Sequence, residues 1–182
     1  MKHFILPAGF LCLLVGAAQA APDSGVQGHA PLRTVARVDL ERYAGTWYEI
    51  ASYPQRFQKG CTATTAVYTL RKDGMIQVLN RCNRDSLDGR ETIARGRARV
   101  VDRESNAKLK VTFFWPFSGD YWIVDLGEQY DYSVVSGPDR KYLWILYRKP
   151  SMAPDLYQTL VDRLRIRGFD VGRLVRSSGA AL

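Results

Sequence analysis

Histidine is scarce in this chain: its 182 residues include His3 and His29 alone, and both precede the stretches that predict secondary structure. A folded domain without an imidazole has no Ser-His or Cys-His catalytic pair, no histidine-bound zinc and no histidine-ligated haem. The sequence also lacks a Gly-x-Ser-x-Gly nucleophile elbow and a phosphate-binding glycine loop. We therefore predict no enzymatic activity, no cofactor and no metal site.

Long apolar runs are absent beyond the leader of the chain. The apolar residues 4–15 are too few to span a bilayer and follow the basic Lys2, while Ala18-Gln19-Ala20 offers the small residues that a signal peptidase reads. These features predict a signal peptide over residues 1–20 and an exported protein, either periplasmic or secreted. Association with the outer membrane is compatible with that export.

Cysteine is also sparse, with three in the chain. Cys12 follows Gly9-Phe10-Leu11, and because a lipoprotein signal needs small residues at those positions, we expect no lipid anchor. The leader's removal leaves Cys61 and Cys82, an even number that favours a disulfide in an exported chain. The predicted strand register sets Cys61 opposite residue 85, so the bridge requires a β-bulge or a bend. The alternative is a pair of buried, unpaired thiols.

The sequence after the leader predicts one domain. Residues 21–36 are rich in Ala, Pro, Gly and Ser without periodicity, which is typical of a flexible lead-in. The domain is predicted over residues 37–176 and a disordered tail over residues 177–182.

Within this domain, eight runs of Val, Ile, Thr, Tyr, Phe and Trp predict antiparallel strands in hairpin order. They cover residues 46–53, 61–71, 75–83, 90–102, 107–115, 120–126, 130–136 and 141–149. A helix is predicted over residues 154–167, because Pro154 favours a helix start and Gly168 favours a helix end. Its apolar face consists of Leu156, Leu160, Val161 and Leu164. We predict an all-β fold: an eight-stranded up-and-down barrel with one C-terminal helix packed outside, and a two-sheet sandwich as the rival.

Alternation along these strands selects an inward face that would line the barrel. Pairing across the turn at residues 72–74 sets Tyr68 opposite Val78 and Ala66 opposite Asn80, which makes Asn80 a polar group in an apolar wall. The predicted lining residues from these strands are Ala66, Tyr68, Val78, Asn80, Leu109, Val111 and Phe113.

The outward face carries the basic excess of the chain, whose net charge is +8. Arg95, Arg97, Arg99 and Arg103 share that face on one predicted strand and its end. Such a stripe attracts anionic membrane surfaces or nucleic acid. Export and the lack of a nucleic-acid-binding motif exclude nucleic acid, which leaves a solvated basic face or attraction to membrane lipids.

Residues 39–175 resemble the lipocalin family, and in particular its branch of bacterial lipocalins and apolipoprotein D. The resemblance rests on the run from Asp39 to Ala51 with Gly45-Thr46-Trp47 at its centre, and on Arg148 near the end of the last strand; Tyr130-Asp131-Tyr132 matches the second family motif loosely. It implies that a short helical turn closes the barrel base and that Trp47 packs against Arg148 there. Counting from that pair along the strands adds five inward residues: Glu49, Ala51, Tyr142, Trp144 and Leu146.

The resemblance implies a fatty acid or a lysophospholipid as ligand, held for lipid storage, transport or envelope maintenance. An apolar wall suits an acyl chain, and Arg56, Lys59 and Arg84 in the loops at the mouth are candidates to meet its carboxylate or phosphate. Glu49 would need Asn80, a tyrosine or a water as a partner. Two alternatives remain: an isomerase-like enzyme that uses Glu49 as base, and an interaction module without cargo. The protein would be a monomer or a homodimer.

Overall fold

The computed structural model describes residues 30–179. Their strands form one continuous antiparallel sheet. In chain order the elements are α1 (Leu40–Tyr43), β1 (Gly45–Ser52), a 3-10 turn (Arg56–Gln58), β2 (Cys61–Leu70), β3 (Ile76–Arg84), β4 (Glu91–Val100), β5 (Lys108–Phe114), β6 (Phe117–Leu126), β7 (Tyr132–Ser136), β8 (Leu143–Tyr147), α2 (Pro154–Ile166), a second 3-10 turn (Val171–Arg173) and β9 (Val175–Arg176). Strands pair in sequence from β2 to β8, β8 pairs with β1, and β1 pairs with β2. The predicted closed eight-stranded up-and-down barrel is confirmed.

The two ends of the barrel follow from this order, because successive hairpins point in opposite directions. One end, which we call the mouth, is formed by four loops: residues 53–60, 85–90, 115–116 and 137–142. Loops 71–75, 101–107 and 127–131 lie at the other end together with α1, and we call this end the floor.

Helix α2 explains why the two halves of the sheet differ in sequence. Its apolar side chains Leu160, Val161 and Leu164 are buried, and two of them join a cluster on the outer face with Val134 and Ile145. Strand β7 is therefore covered on both faces and is buried along its whole length. Strand β4 has solvent on its outer face and keeps the alternation of arginine with small residues.

The disulfide predicted between Cys61 and Cys82 is present, with 5.3 Å between the Cα atoms. The register of β2 against β3 shifts between Thr62 and Thr65, so a bulge sets Cys61 opposite Arg84 rather than residue 85. The bulge is one of the two ways, with a bend in the chain, by which the sequence allowed this bridge.

Both ends of the described chain contact the barrel. In the lead-in, Leu32 is buried in the outer cluster and the Val35 amide donates to the Ile123 carbonyl at 3.0 Å. At the other end, the Ser177 amide donates to the Ile50 carbonyl, and the Ser178 carbonyl accepts from the Ala63 amide. Residues 30–36 therefore contact the outer cluster and β6, and residues 177–178 contact β1 and β2.

Strand β9, which the sequence does not predict, holds the C-terminal segment against β1. Strand β1 pairs with β2 through residues 45–48 and with β9 at Ala51 and Ser52. The C-terminal segment therefore fills the gap where β1 and β2 separate toward the mouth. The predicted signal peptide with Cys12 lies outside the described residues, as do residues 21–29 and 180–182. None of the helices in residues 30–179 combines the length and apolar character needed to cross a membrane.

Candidate ligand-binding barrel

The inward face predicted for β2 and β3 has the expected register, with Tyr68 opposite Val78 and Ala66 opposite Asn80. Directly paired residues of neighbouring strands point to the same side of a sheet. Tyr68, Ala66 and Val78 are buried in the cluster that fills the barrel. Further predicted lining residues join or pack against this inner cluster: Leu109, Val111, Phe113, Trp144 and Leu146.

Exposure of the inward residues changes along the barrel axis. On β4, Thr92 and Ala94 near the mouth are exposed, whereas Gly96 and Ala98 farther down are buried. On β8 and the loop before it, Tyr142 is exposed, Trp144 is half-buried and Leu146 is buried. Solvent therefore reaches the upper half of the inner wall and is excluded from the lower half.

Gly96 makes room for an aromatic part of this wall. A Cβ at Gly96 would lie 2.9 Å from Cδ1 of Phe113, closer than side-chain carbons approach each other. The ring of Phe113 thus lies against the backbone of β4, and its half-buried face remains available inside the barrel. Tyr142, predicted to line the interior, instead lies at the mouth, where its ring stacks on Trp144 with 6.0 Å between centroids.

Glu49 is buried on this wall and its carboxylate accepts three hydrogen bonds. Ser52 Oγ and Ser177 Oγ donate to Oε1 at 2.9 and 2.8 Å, and Gln58 Nε2 donates to Oε2 at 2.7 Å. Gln58 Oε1 in turn accepts from Trp144 Nε1 at 3.2 Å. The carboxylate is satisfied by neighbours from β1, the 3-10 turn and the C-terminal segment, and it joins the loop at the mouth to the wall.

These partners differ from the predicted ones, which were Asn80, a tyrosine or a water. Ser177 was assigned to a tail, and Gln58 lies in a loop whose path no periodicity reveals. The predicted inward position of Ala51 is also wrong, because a bulge between Glu49 and Ala51 moves it to the outer cluster. A bulge inserts one residue and reverses the faces beyond it.

Asn80 keeps the inward position that the register predicts. Its Oδ1 is buried, and no donor among residues 30–179 reaches it. A buried acceptor without a donor costs about 1 to 3 kcal/mol. This atom is therefore suited to accept a hydrogen bond from a hydroxyl or amide that enters the barrel.

The floor below this wall contains a network of four hydroxyl groups. Tyr43 Oη bonds to Tyr121 Oη at 2.7 Å and to Ser133 Oγ at 2.9 Å, and Tyr121 Oη donates to Tyr68 Oη at 3.0 Å. Burial raises the pKa of Tyr43 to about 12 and also raises the pKa values of Tyr68 and Tyr121. The cavity beside these rings measures about 10 Å³, so it admits at most one water molecule.

Arg148 closes the floor over Trp47, as the resemblance implies. Its guanidinium carbon lies 3.8 Å from the centroid of the buried indole ring. A cation in this position contributes about 0.5 to 2 kcal/mol. Gly45 is required nearby because its φ is +96° and a Cβ there would lie 3.3 Å from Arg148 Nη1.

The guanidinium of Arg148 also donates to four backbone carbonyl groups. The acceptors belong to α1, β1 and the loop before β7, at 2.6 to 3.2 Å: Arg42, Tyr43, Thr46 and Tyr130. The backbone amide of Arg148 donates to Asp131 at 2.8 Å. Tyr130 and Asp131 therefore belong to the floor, whereas Tyr132 lies in the outer cluster, where its hydroxyl accepts from Arg163 at 3.0 Å.

The predicted cations at the mouth have different environments. Arg56 and Lys59 are exposed in the loop after β1. Arg84 is partly buried, and its Nη1 donates to the Lys59 carbonyl at 2.9 Å. Arg84 therefore supports the loop that carries the other two cations.

A closed antiparallel barrel with a sealed floor, a solvated upper wall and a helix on its outer face has the architecture of a small-molecule calyx. A family model described as a lipocalin-like domain matches residues 38–178. The chain belongs to the lipocalin family, whose members bind small hydrophobic ligands.

Two relatives cover most of the chain. The outer membrane lipoprotein Blc of Citrobacter freundii is 39% identical over 164 residues, which are 90% of this chain and 88% of that protein. Apolipoprotein D of Bos taurus is 32% identical over 180 residues, 93% of this chain and 90% of that protein. The structure of insecticyanin from Manduca sexta matches with a TM-score of 0.66 at 17% identity, over 85% of this chain and 92% of that one, and so shares the fold.

Proposed function

We propose that this protein binds the acyl chain of a fatty acid or a lysophospholipid in the upper half of its barrel, for lipid storage, transport or envelope maintenance. The observation that carries the proposal is the gradient of exposure along the inner wall. Phe113, Val111 and Trp144 face inward but remain half-buried. An acyl chain lying against them would remove that apolar surface from water.

The expected affinity is moderate. Each buried methylene contributes about 0.8 kcal/mol, so a ten-methylene segment would gain roughly 8 kcal/mol. Association costs at least about 4 kcal/mol in lost freedom. Without polar contacts to the head group the affinity would therefore be weak, and with such contacts it would be moderate.

The mouth and the wall both supply such contacts. Arg56 and Lys59 are exposed beside the entrance and suit a carboxylate or a phosphate. Asn80 Oδ1 suits a hydroxyl group deeper in the barrel. The enzyme alternative gains nothing from Glu49, because both of its oxygens already accept hydrogen bonds from neighbouring side chains.

Export to the cell envelope is the setting we propose. The leader of the sequence is typical of a signal peptide, and the relative from Citrobacter freundii is named an outer membrane lipoprotein. An acyl-lipid carrier would find its cargo there.

Substitution of one inward residue tests the proposal. Phe113→Arg would place a charge against the acyl chain and should weaken binding of a fluorescent fatty acid at least about tenfold, since burying an unpaired charge is costly. Thr112→Arg is the matched control, because Thr112 is the outward neighbour on the same strand. Equal affinities of the two variants, both folded by circular dichroism, would contradict the proposal.

A further inference from the structure

The mouth carries large apolar side chains that neither the barrel interior nor the outer cluster uses. Phe114, Trp115 and Phe117 form the tip of the β5–β6 hairpin and are 78%, 86% and 78% exposed. Phe57 and Leu87, in two other loops at the mouth, are 68% and 53% exposed. Such a concentration of exposed apolar groups marks an interaction surface.

These residues lie at one end of the molecule. The loops of the floor are mainly polar, as in Lys72-Asp73-Gly74 and Glu104-Ser105-Asn106. The other exposed large apolar residues are scattered: Leu70 and Val101 at the floor, Ile166 at the end of α2, Val175 in β9 and Tyr142 beside Trp144. The apolar tips of the mouth therefore form a distinct feature, which we call the aromatic rim and define as Phe57, Leu87, Phe114, Trp115 and Phe117.

The charges around the aromatic rim favour an anionic partner. The four loops of the mouth contain five basic and three acidic residues. Among residues 30–179, Arg56, Lys59 and Arg90 take part in no ion pair. Exposed cations next to exposed aromatic rings match the two layers of an anionic lipid surface, with charged head groups above an apolar interior.

We propose that the aromatic rim docks the mouth of the barrel onto the surface of a phospholipid bilayer. Phe114, Trp115 and Phe117 enter the boundary between head groups and acyl chains, where tryptophan is favoured. Arg56 and Lys59 lie over the anionic head groups. The geometry favours a fluid bilayer over a protein partner because the apolar groups are spread over three separate loops of the mouth.

In this orientation the entrance of the barrel faces the surface of the bilayer. An acyl chain could then pass between a leaflet and the inner wall without crossing bulk water. The docking itself requires no cargo, so it is independent of the proposed ligand.

Vesicle binding of the purified protein tests this docking. The probe is a set of vesicles of phosphatidylcholine alone and of phosphatidylcholine with a quarter phosphatidylglycerol, separated from free protein by flotation. The triple variant Phe114→Ser, Trp115→Ser and Phe117→Ser should lower partitioning at least about tenfold, since binding scales with buried apolar area. The control, a double variant with Leu70→Ser and Val101→Ser, removes exposed apolar residues at the floor and should bind as the parent does.

Trp115 offers a second readout. Brominated acyl chains should quench tryptophan fluorescence of the parent more strongly than that of Trp115→Phe. Binding of the parent to neither vesicle, or equal binding of the hairpin variant and the floor variant, would overturn the proposal. So would a hairpin variant that abolishes self-association in sedimentation velocity without changing vesicle binding, since the aromatic rim would then serve a second copy of the chain. A soluble fluorescent fatty acid should bind the hairpin variant normally, which separates a failure of docking from a failure of the proposed function.

Discussion

Aromatic and basic side chains are packed together at the floor of this barrel, whereas at its mouth they are exposed. At the floor, Tyr43, Trp47 and Arg148 are joined by hydrogen bonds and ring contacts, and the cavity beside Tyr43 admits at most one water. At the mouth, Trp115 and Arg56 are exposed without partners in ion pairs or ring contacts within residues 30–179. The residues that identify the family lie mostly at the floor, so they report how the barrel closes and say little about its ligand.

The largest expected effect comes from breaking the floor. Arg148→Ala removes the cation above Trp47 and leaves four carbonyl groups without their donor. We expect a loss of about 3 kcal/mol or more in the free energy of unfolding, because hydrogen bonds from charged groups are the strong ones. Chemical denaturation measures it. Arg165→Ala, on the exposed end of α2, is the control and should change stability by less than about 0.5 kcal/mol; similar losses for both would contradict this role.

A second effect should appear at alkaline pH. Burial raises the pKa of Tyr43 from 10.0 to about 12, so the folded protein keeps a proton that the unfolded chain releases. The resulting stability is complete below pH 10 and falls as pH rises toward 12, by about 2 to 3 kcal/mol. Denaturation at several pH values, with tyrosinate absorbance, checks this. Tyr43→Phe should make the decline shallower without removing it, because burial also raises the pKa values of Tyr68 and Tyr121. An unchanged slope would contradict the contribution of Tyr43.

The sequence predicted the floor better than the mouth, and the reason is physical. Regular alternation fixes the register of β2 and β3, and eight strands joined in hairpin order leave few ways to close a sheet. The bulge at Glu49 and Ala51, the two-residue strand β9 and the path of Gln58 depend on contacts between distant segments. Such contacts leave no periodic trace. The exposure of Phe114 and Phe117 could not be predicted, because the sequence pattern does not distinguish exposed apolar residues at the end of a strand from buried ones.

The smallest expected effect lies at the mouth. Gln58→Ala breaks the link from Glu49 to Trp144 and should cost about 1 kcal/mol of stability. The freed loop should open more easily and speed ligand release. Stopped-flow displacement of a fluorescent fatty acid measures this. Gln55→Ala changes the same loop without breaking these hydrogen bonds and serves as the control. Equal release rates in the two variants would show that the link from Glu49 to Trp144 does not retain the ligand.

The most direct test of the central claim, that the upper barrel holds an acyl lipid, is native mass spectrometry of protein purified gently from the cells that produce it. The account predicts a co-purified acyl lipid on the parent protein and on Thr112→Arg, and its loss from Phe113→Arg. Empty barrels in all three, or equal lipid occupancy in all three, would contradict it.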